Sequence, residues 1–255
     1  MIEYRPVDPG FTLDGLTAVI TGGAAGIGLA TAEFFAAKGA RLVLADLSPR
    51  VQEVAREIGP GHVGVAGDLT QAPARQAVLA AAEGAFGGVD LLVNSAGIVA
   101  LGPAESLAQA DWDATIAVNL TTSFLMAQLV GSYLINRRRG GAIVNIASQA
   151  GIVALDQHVA YAASKGGVIA MTKVLALEWG RHGVRVNAVS PTVVLTELGH
   201  KAWDGPRGDA LKAEMPSGRF AEPDEVAAAI AFLCSPAAGM VTGHNLVIDG
   251  GYTIK

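Results

Sequence analysis

The sequence predicts an α/β fold: a doubly wound, parallel sheet of seven strands with helices on both faces, in a single domain. Apolar runs of strand length recur along the chain and carry few charges, as strands buried on both faces of a parallel sheet do. They read LTAVIT, RLVLAD, HVGVAGD, DLLVNSAG, GAIVNIAS, VRVNAVS and GHNLVIDGG. Alanine-rich segments lie between most of them, and repeated strand–helix alternation indicates βαβ units. No proline-rich or charged linker divides the chain.

The helices are expected between these runs, where the apolar residues recur with helical spacing. They are predicted at residues 27–38, 49–58, 72–86, about 114–137 and 160–179. Residues 191–221 show no strand pattern and are rich in glycine, proline and charge. A segment of this length inside a compact domain is typical of a lid or insertion over a site. We therefore expect one domain, 1–255, with a substrate lid at about 191–221.

Composition limits the classes of partner. The 255 residues are 51% apolar and 16% charged, with a mean hydropathy of +0.40, which indicates apolar surface buried between subunits. A net charge of −5 argues against nucleic acid as a partner. No apolar run approaches the length of a membrane helix, and MIEYRPVDPG is not a signal peptide. The single Cys234 suits a reducing compartment, so a cytoplasmic protein is expected. The five histidines show no metal-ligand spacing, and no metal is expected.

The turn after the first strand, TGGAAGIG, holds four glycines, three of them at positions 22, 26 and 28. Glycine permits a tight turn and a close approach of the backbone to a phosphate, and the following helix N-terminus attracts a pyrophosphate. The spacing G-x-x-x-G-x-G differs from the commonest dinucleotide-binding pattern. The turn predicts a Rossmann-like nucleotide site, with a turn that binds no ligand as the alternative.

Carboxylates at the ends of the next two strands refine this prediction. Asp46 ends the second strand, 18 residues beyond Gly28, where it can accept hydrogen bonds from both hydroxyls of an adenosine ribose. Such a carboxylate would repel a 2′-phosphate, so NAD is the expected cofactor; a turn-forming role is the alternative. Asp68 is placed to accept from the adenine amino group or to cap a helix. Asn94, Ala96 and Gly97 are expected along the middle of the cofactor.

Acid–base chemistry is indicated by Tyr161 and Lys165, which lie four residues apart in a predicted helix and so share one face. A nearby ammonium favours the phenolate of a tyrosine, whose ordinary pKa of about 10 makes it a poor base. Ser148 ends the fifth strand, at the edge where parallel sheets bind ligands. A surface Tyr–Lys pair is the alternative, and the glycine turn argues against it.

These motifs together resemble the short-chain dehydrogenase/reductase family: TGxxxGIG, N-x-A-G, an interior asparagine in VNL, and a serine followed by YxxxK. The resemblance extends from about residue 13 to residue 252. Ser95 and Thr192 depart from it, since the family more often has asparagine and glycine there. The resemblance implies a catalytic tetrad of Asn119, Ser148, Tyr161 and Lys165, and a homotetramer, with a dimer next. It also implies cofactor contacts by Ile27, Leu47, Leu69, Tyr161, Lys165, Pro191, Val194 and Thr196.

Within that family the chain resembles the branch of dicarbonyl/L-xylulose reductases and polyol dehydrogenases. The similarity lies in Pro-Thr-Val-Val after the sixth strand, Gln149, His158 and Trp203. It implies a polyol substrate of C4–C6 that contacts Gln149, His158 and Trp203 beside Ser148 and Tyr161. The alternatives are a 3-oxoacyl thioester or hydroxysteroid reductase, and a nucleotide-binding regulator without turnover. A scaffolding role remains open for two of these residues, with His158 capping the helix and Trp203 packing between subunits.

Overall fold

The computed structural model describes residues 10–254, which form one seven-stranded sheet. Every neighbouring pair of strands is parallel, in the order β3-β2-β1-β4-β5-β6-β7. The strands are β1 (Thr17–Thr21), β2 (Arg41–Asp46), β3 (Val63–Ala66), β4 (Leu91–Asn94), β5 (Gly141–Ile146), β6 (Val184–Pro191) and β7 (Asn245–Ile248). The predicted fold class is confirmed.

Nine α-helices in the described part of the chain cover the sheet. They are α1 (Gly26–Ala37), α2 (Val51–Ile58), α3 (Ala72–Phe86), α4 (Gln109–Ile116), α5 (Ser123–Arg137), α6 (Val159–Trp179), α7 (Glu197–Trp203), α8 (Pro206–Glu214) and α9 (Pro223–Cys234). Alternate strand residues face opposite layers, as the period of a strand requires. Ile20 packs in the core with residues of α1, α2 and α9. Its neighbour Val19 packs with residues of α3, α5 and α6.

The order of the strands places a crevice beside β1. The chain moves outward from β1 through β2 to β3, and then returns to place β4 on the other side of β1. In open parallel sheets, ligands bind at such a reversal, outside the carboxyl ends of the strands. The segments that follow Thr21, Asp46, Asn94 and Ile146 all leave the sheet at this edge.

Three details differ from the sequence prediction. The helix expected at about 114–137 begins at Gln109 and contains a π-helical turn, Ala117–Thr122, between α4 and α5. The helix α9 was not predicted, although Glu222 and Glu225 form a capping box at its start. The 191–221 segment begins with the last residue of β6 and folds mostly as the short helices α7 and α8. Short helices of mixed composition carry too little apolar periodicity to be recognised from sequence.

The 191–221 segment leaves and rejoins the domain through a narrow neck. Val194 and Ala221 form a parallel bridge. Ala221 N donates to Val193 O at 3.1 Å, and Leu195 N donates to Ala221 O at 2.9 Å. The 26 residues between these two positions therefore form a closed excursion whose base is fixed to the end of β6.

One helical stretch of the described chain, 109–137, is long and apolar enough to cross a membrane by length and composition alone. Several of its apolar side chains are fully buried inside the domain, including Met126, Val130 and Leu134. The stretch packs against the sheet, and a core helix of a globular domain can be as long and as apolar as a membrane-spanning helix.

Candidate active site

The glycine turn joins β1 to α1 and leaves no room for a side chain at Gly22 or Gly28. Gly22 and Gly26 have φ of 68° and 57°, in the left-handed region that favours glycine. A Cβ on Gly28 would lie 2.1 Å from the carbonyl oxygen of Gly22. A Cβ on Gly22 would lie 2.9 Å from the backbone of Ala96, after β4. The three glycines therefore let three backbone segments meet at the crevice.

The first turn of α1 is open to an anion. Its N-cap residue, Ala25, supplies no side-chain hydrogen bond, and the first turn contains no acidic residue. Free N–H groups and the positive end of the helix dipole are thus directed to the crevice edge. A Cβ on Gly26 would lie 3.6 Å from Thr196 Cγ2, so the start of the 191–221 segment borders the same turn. This arrangement fits a pyrophosphate.

Thr21, the last residue of β1, was not singled out from the sequence. Its Oγ1 accepts hydrogen bonds from Ser95 N and Ala96 N, both at 3.1 Å. The hydroxyl thereby fixes the segment after β4 against the glycine turn. The sequence signal that could have identified Thr21 is its position at a strand end, directly before the glycine turn.

The two predicted adenosine contacts lie at strand ends and are already partly engaged. Asp46 Oδ2 accepts from Ala24 N at 3.1 Å, and its Oδ1 accepts from Ser48 N at 2.9 Å. Each carboxylate oxygen keeps lone pairs for a further donor. Beside it, Leu47 is 73% exposed. Asp68 is exposed, two residues beyond β3, and accepts from Thr70 N and Oγ1; these bonds lower the pKa of its carboxyl group. Leu69 is buried.

The side chain of Asn94 is buried between strands, so only its main chain can border the crevice. Its Nδ2 donates to Asn145 Oδ1 at 2.9 Å and to Ser123 O at 3.0 Å. Asn145 is its directly paired residue on β5, and Asn145 Nδ2 donates to Thr172 Oγ1 on α6. The side chain of Asn94 thus joins β4, β5 and α5. Ala96 and Gly97 follow it at the crevice edge.

Ser148, Tyr161 and Lys165 meet beyond the end of β5. Ser148 lies two residues after that strand, and its Oγ accepts from Ala150 N at 3.1 Å. Desolvation by burial raises the pKa of the Tyr161 hydroxyl, and a hydrogen bond with Ser148 opposes part of that rise. Lys165 Nζ lies 5.6 Å from the centre of the Tyr161 ring. Tyr161 and Lys165 therefore lie on the same face of α6, as their spacing predicts.

Lys165 is held by the sheet itself. Its side chain is 4% exposed, and Nζ donates to Ile146 O, the last residue of β5, at 2.7 Å. Burial lowers the pKa of Lys165 to about 8. A Cβ on Gly97 would lie 3.6 Å from this Nζ, so the ammonium also borders the segment after β4.

Asn119 lies inside the π-helical turn, a feature that often marks functional sites. It is fully buried. Its Oδ1 accepts from Ile98 N at 2.8 Å, and its Nδ2 donates to Ile98 O at 2.9 Å and to Ser164 Oγ at 3.1 Å. The amide therefore connects the segment after β4 with α6, next to Lys165.

Gln149 and His158 lie close to the Ser148–Tyr161 pair. Gln149 is 3% exposed, and its Oε1 finds no hydrogen-bond partner among the described residues. His158 occupies the N-cap position of α6 but its ring caps no N–H. Because His158 Nδ1 contacts the carbonyl oxygen of Asp156, that nitrogen carries the hydrogen. The ring packs edge-on against Tyr161, with centroids 6.2 Å apart.

The site residues predicted within 191–221 have separate surroundings. Trp203 packs edge-on against Phe220 at 6.2 Å, and the guanidinium of Arg207 lies 4.5 Å from its ring centre. Thr196 Oγ1 accepts from Gly199 N and so caps α7. Pro191 ends β6, and Val194 lies in the neck. Among the described residues, no group of three or more histidine, cysteine or acidic side chains could hold a metal ion.

Comparison with known proteins agrees with this geometry. A family model described as enoyl-(acyl carrier protein) reductase matches residues 22–253. A crystal structure of a short-chain type dehydrogenase/reductase from Mycobacterium marinum superposes with a TM-score of 0.89 at 34% identity, over 96% of this chain and 98% of that one. The chain belongs to the short-chain dehydrogenase/reductase family.

Curated members of the short-chain dehydrogenase/reductase family align over nearly the whole chain. D-threitol dehydrogenase of Mycolicibacterium smegmatis is 58% identical over 98% of this chain and 97% of its own length. NAD-dependent glycerol dehydrogenase of Listeria innocua is 48% identical over the full length of both. Galactitol 2-dehydrogenase of Cereibacter sphaeroides is 42% identical over 99% of this chain and 100% of its own length. The protein is therefore an oxidoreductase of the nicotinamide-dependent kind, and the alternative of a regulator without turnover is not supported.

Proposed function

We propose that this short-chain dehydrogenase transfers hydride between NAD and a sugar alcohol of C4–C6, giving the corresponding ketose. The substrate class rests on the named relatives and on the amide of Gln149, whose oxygen is one of five buried polar side-chain atoms without a hydrogen-bond partner among the described residues. Its buried Oε1 has no partner in the described chain, next to Ser148. A buried acceptor without a donor is costly, and a second substrate hydroxyl would satisfy it. The relatives named for threitol, glycerol and galactitol support the same class.

Proton transfer is assigned to Tyr161. In oxidation its phenolate accepts the proton of the reacting hydroxyl, while Ser148 Oγ donates a hydrogen bond to the substrate oxygen. Lys165, 5.6 Å from the ring centre, would stabilise the phenolate by its charge, against the desolvation that raises the pKa of the hydroxyl, and would hold the ribose next to the nicotinamide. Asn119 lies where its turn can anchor a water between Lys165 and solvent. When bound, NAD accepts the hydride.

The cofactor is assigned to the crevice between β1 and β4. The uncapped start of α1 and the turn of glycine and alanine before it fit a pyrophosphate. The proposed contacts to the phosphates, adenosine and nicotinamide are Gly22, Gly26, Ile27, Gly28, Asp46, Leu47, Asp68, Leu69, Asn94, Ala96, Gly97, Pro191, Val194 and Thr196. We propose NAD rather than NADP because the Asp46 carboxylate would accept ribose hydroxyls and repel a 2′-phosphate.

The polyol pocket is assigned to Gln149, His158 and Trp203 beside Ser148 and Tyr161. His158 Nε2 can accept a hydrogen bond from a substrate hydroxyl, because Nδ1 carries the hydrogen and donates to Asp156 O. Trp203 is placed in the lid, where its packing on Phe220 fixes the corner between α7 and α8. Closure of the lid would exclude water from the pocket.

A second candidate is an acyl-thioester reductase. The description of the matching family model favours it. So do exposed apolar side chains on the two segments that flank the site, Ile98, Val99, Leu101 and Ile152. A hydroxysteroid would use the same apolar rim. The unsatisfied Gln149 acceptor favours the polyol instead.

We also propose a cytoplasmic homotetramer. Large apolar side chains are exposed on the outer faces of the domain, and covering them in an oligomer removes them from water. They include Val174, Leu177, Met240 and Ile254, at 53%, 84%, 98% and 84% exposed. Light scattering of the purified protein measures the mass directly; a monomer of about 26 kDa would contradict this proposal.

The decisive experiment is a substrate screen with NAD and NADP. Alditols of three to six carbons, a 3-hydroxyacyl thioester and a hydroxysteroid are each followed at the absorbance of reduced nicotinamide. The proposal expects the highest kcat/KM for an alditol with NAD. Turnover of the thioester or steroid alone would replace the polyol assignment with the second candidate.

A further inference from the structure

Ser164 is a buried hydroxyl that joins two elements of the active site. It lies directly before Lys165 on α6 and is 0% exposed. Its Oγ donates to Tyr161 O at 2.7 Å and accepts from Asn119 Nδ2 at 3.1 Å. One hydroxyl therefore connects the helix of Tyr161 and Lys165 with the π-helical turn of Asn119.

The Asn119 amide also bonds to the segment after β4. It binds both backbone groups of Ile98, the N–H through Oδ1 and the carbonyl through Nδ2. Gly97 lies beside this contact, and a Cβ there would be 3.3 Å from Asn119 Oδ1 and 3.6 Å from Lys165 Nζ. The segment, the amide and the ammonium thus form one contiguous cluster, and the Ser164 hydrogen bond fixes α6 to it.

The main chain of Asn119 is held from the opposite side. Ser123 Oγ donates to Asn119 O at 2.8 Å, and Ser123 O accepts from Asn94 Nδ2 at 3.0 Å. The π-helical turn is therefore anchored to β4 by one serine and to α6 by another. Removal of the Ser164 hydroxyl would release only the side that faces the reacting groups.

We propose that Ser164 is a positioning residue for the oxidoreductase reaction. It keeps α6 in register with the Asn119 turn, so that Tyr161 and Lys165 hold their places against the Gly97–Ile98 segment. The inference rests on the proposed acid–base roles of Tyr161 and Lys165. It assigns no contact between Ser164 and substrate or cofactor.

The competing explanation is ordinary helix chemistry. Serine hydroxyls in helices often bond the carbonyl three or four residues earlier. Ser235 makes that bond far from the site: it is 0% exposed, and its Oγ donates to Phe232 O at 2.8 Å and accepts from Ala237 N at 3.2 Å. Ser235 thus matches Ser164 in residue type, burial and bonding, and serves as the control.

The test compares Ser164→Ala, Ser164→Thr and Ser235→Ala in the full-length enzyme, by steady-state kinetics and thermal denaturation. For Ser164→Ala we expect kcat to fall about tenfold or more, as when reacting groups move by a fraction of an ångström, with KM changed far less. Ser164→Thr keeps the hydroxyl and should recover most of kcat. Ser235→Ala should lower Tm at least as much as Ser164→Ala while keeping kcat.

Three outcomes overturn the inference. They are a Ser164→Ala variant with kcat within twofold of wild type, an equal loss of kcat in Ser235→Ala, and a Ser164→Ala variant that does not fold. The polyol proposal is tested separately by the wild-type enzyme. If wild type oxidises a different alcohol, the same three variants are measured with that alcohol, so either proposal can fail alone.

Discussion

Lys165 Nζ lies 5.6 Å from the centre of the Tyr161 ring while it donates a 2.7 Å hydrogen bond to the last carbonyl of β5. The hydrogen bond fixes the lysine to the sheet, with its ammonium next to the ring of Tyr161 on the same helix. Because the charge is buried, its pKa falls to about 8, and the Tyr161 hydroxyl has a raised pKa from desolvation. This one relationship leads to two of the following predictions.

Removal of the Tyr161 hydroxyl should abolish most turnover. Tyr161→Phe keeps the ring and loses the proton carrier, so kcat should fall by at least the ~10²–10⁴ of a positioned acid–base group. The cofactor Kd, from fluorescence titration, should change little. Tyr133→Phe is the matched control, because the Tyr133 hydroxyl is buried without a partner in the described chain, outside the site. Near wild-type kcat in Tyr161→Phe would mean that another group carries the proton.

The buried Lys165 should make the free energy of unfolding depend on pH between about pH 8 and 10.5. In that window the unfolded chain binds a proton at Lys165 that the folded chain has lost, so the free energy of unfolding rises with pH. Lys165→Met lacks this contribution. Relative to the variant, wild type should gain up to about 3 kcal/mol across the window, at about 1.4 kcal/mol per pKa unit. Urea unfolding at several pH values measures the difference. A difference that is constant with pH would contradict the prediction.

Cofactor choice should depend on Asp46. Its replacement by alanine removes the repulsion of a 2′-phosphate and charged hydrogen bonds worth about 1.5–3 kcal/mol each. The wild-type preference for NAD in kcat/KM should therefore shrink at least tenfold in Asp46→Ala. Asp68→Ala is the control: any loss of an adenine contact would affect NAD and NADP equally. Equal wild-type kcat/KM with the two cofactors would refute the role of Asp46.

The substrate pocket is tested by Gln149→Ala and His158→Ala. Each should raise KM for the polyol more than KM for NAD, since a site with buried polar partners discriminates strongly against a missing hydroxyl partner. Trp203→Ala should affect both KM values modestly through the lid. If all three variants lose thermal stability while the polyol KM stays the same, these residues form scaffold rather than pocket.

Close backbone packing at the glycine turn allows the cofactor site to be tested by NAD binding, without a substrate. Gly28→Ala places a Cβ 2.1 Å from Gly22 O, so the turn must shift, and NAD binding should weaken strongly. Gly84→Ala is the control in α3, where a Cβ meets nothing within 4 Å. It should stabilise the fold by about 0.5–1 kcal/mol, because alanine loses less entropy in a helix. Unchanged NAD affinity in Gly28→Ala would remove the turn from the cofactor site.

Local pattern in the sequence was enough for the sheet and for the placement of several site residues. The seven strands were predicted because parallel strands buried on two faces read as uninterrupted apolar runs. The helical spacing of Tyr161 and Lys165 gave their shared face, and the strand ends placed Asp46 near the crevice. Each of these features depends on neighbours within a few residues along the chain.

Tertiary structure decided the rest, because contacts between distant segments leave no local signal. The Asn119 amide, inside the π-helical turn, bonds to Ile98 and Ser164, which lie 21 and 45 residues away. The side chain of Asn94 is held inside the sheet by its hydrogen bond to Asn145, 51 residues away. The unsatisfied Gln149 oxygen is defined only by what surrounds it in the folded chain. Periodicity determines which face a side chain occupies, and packing between elements determines what that side chain meets.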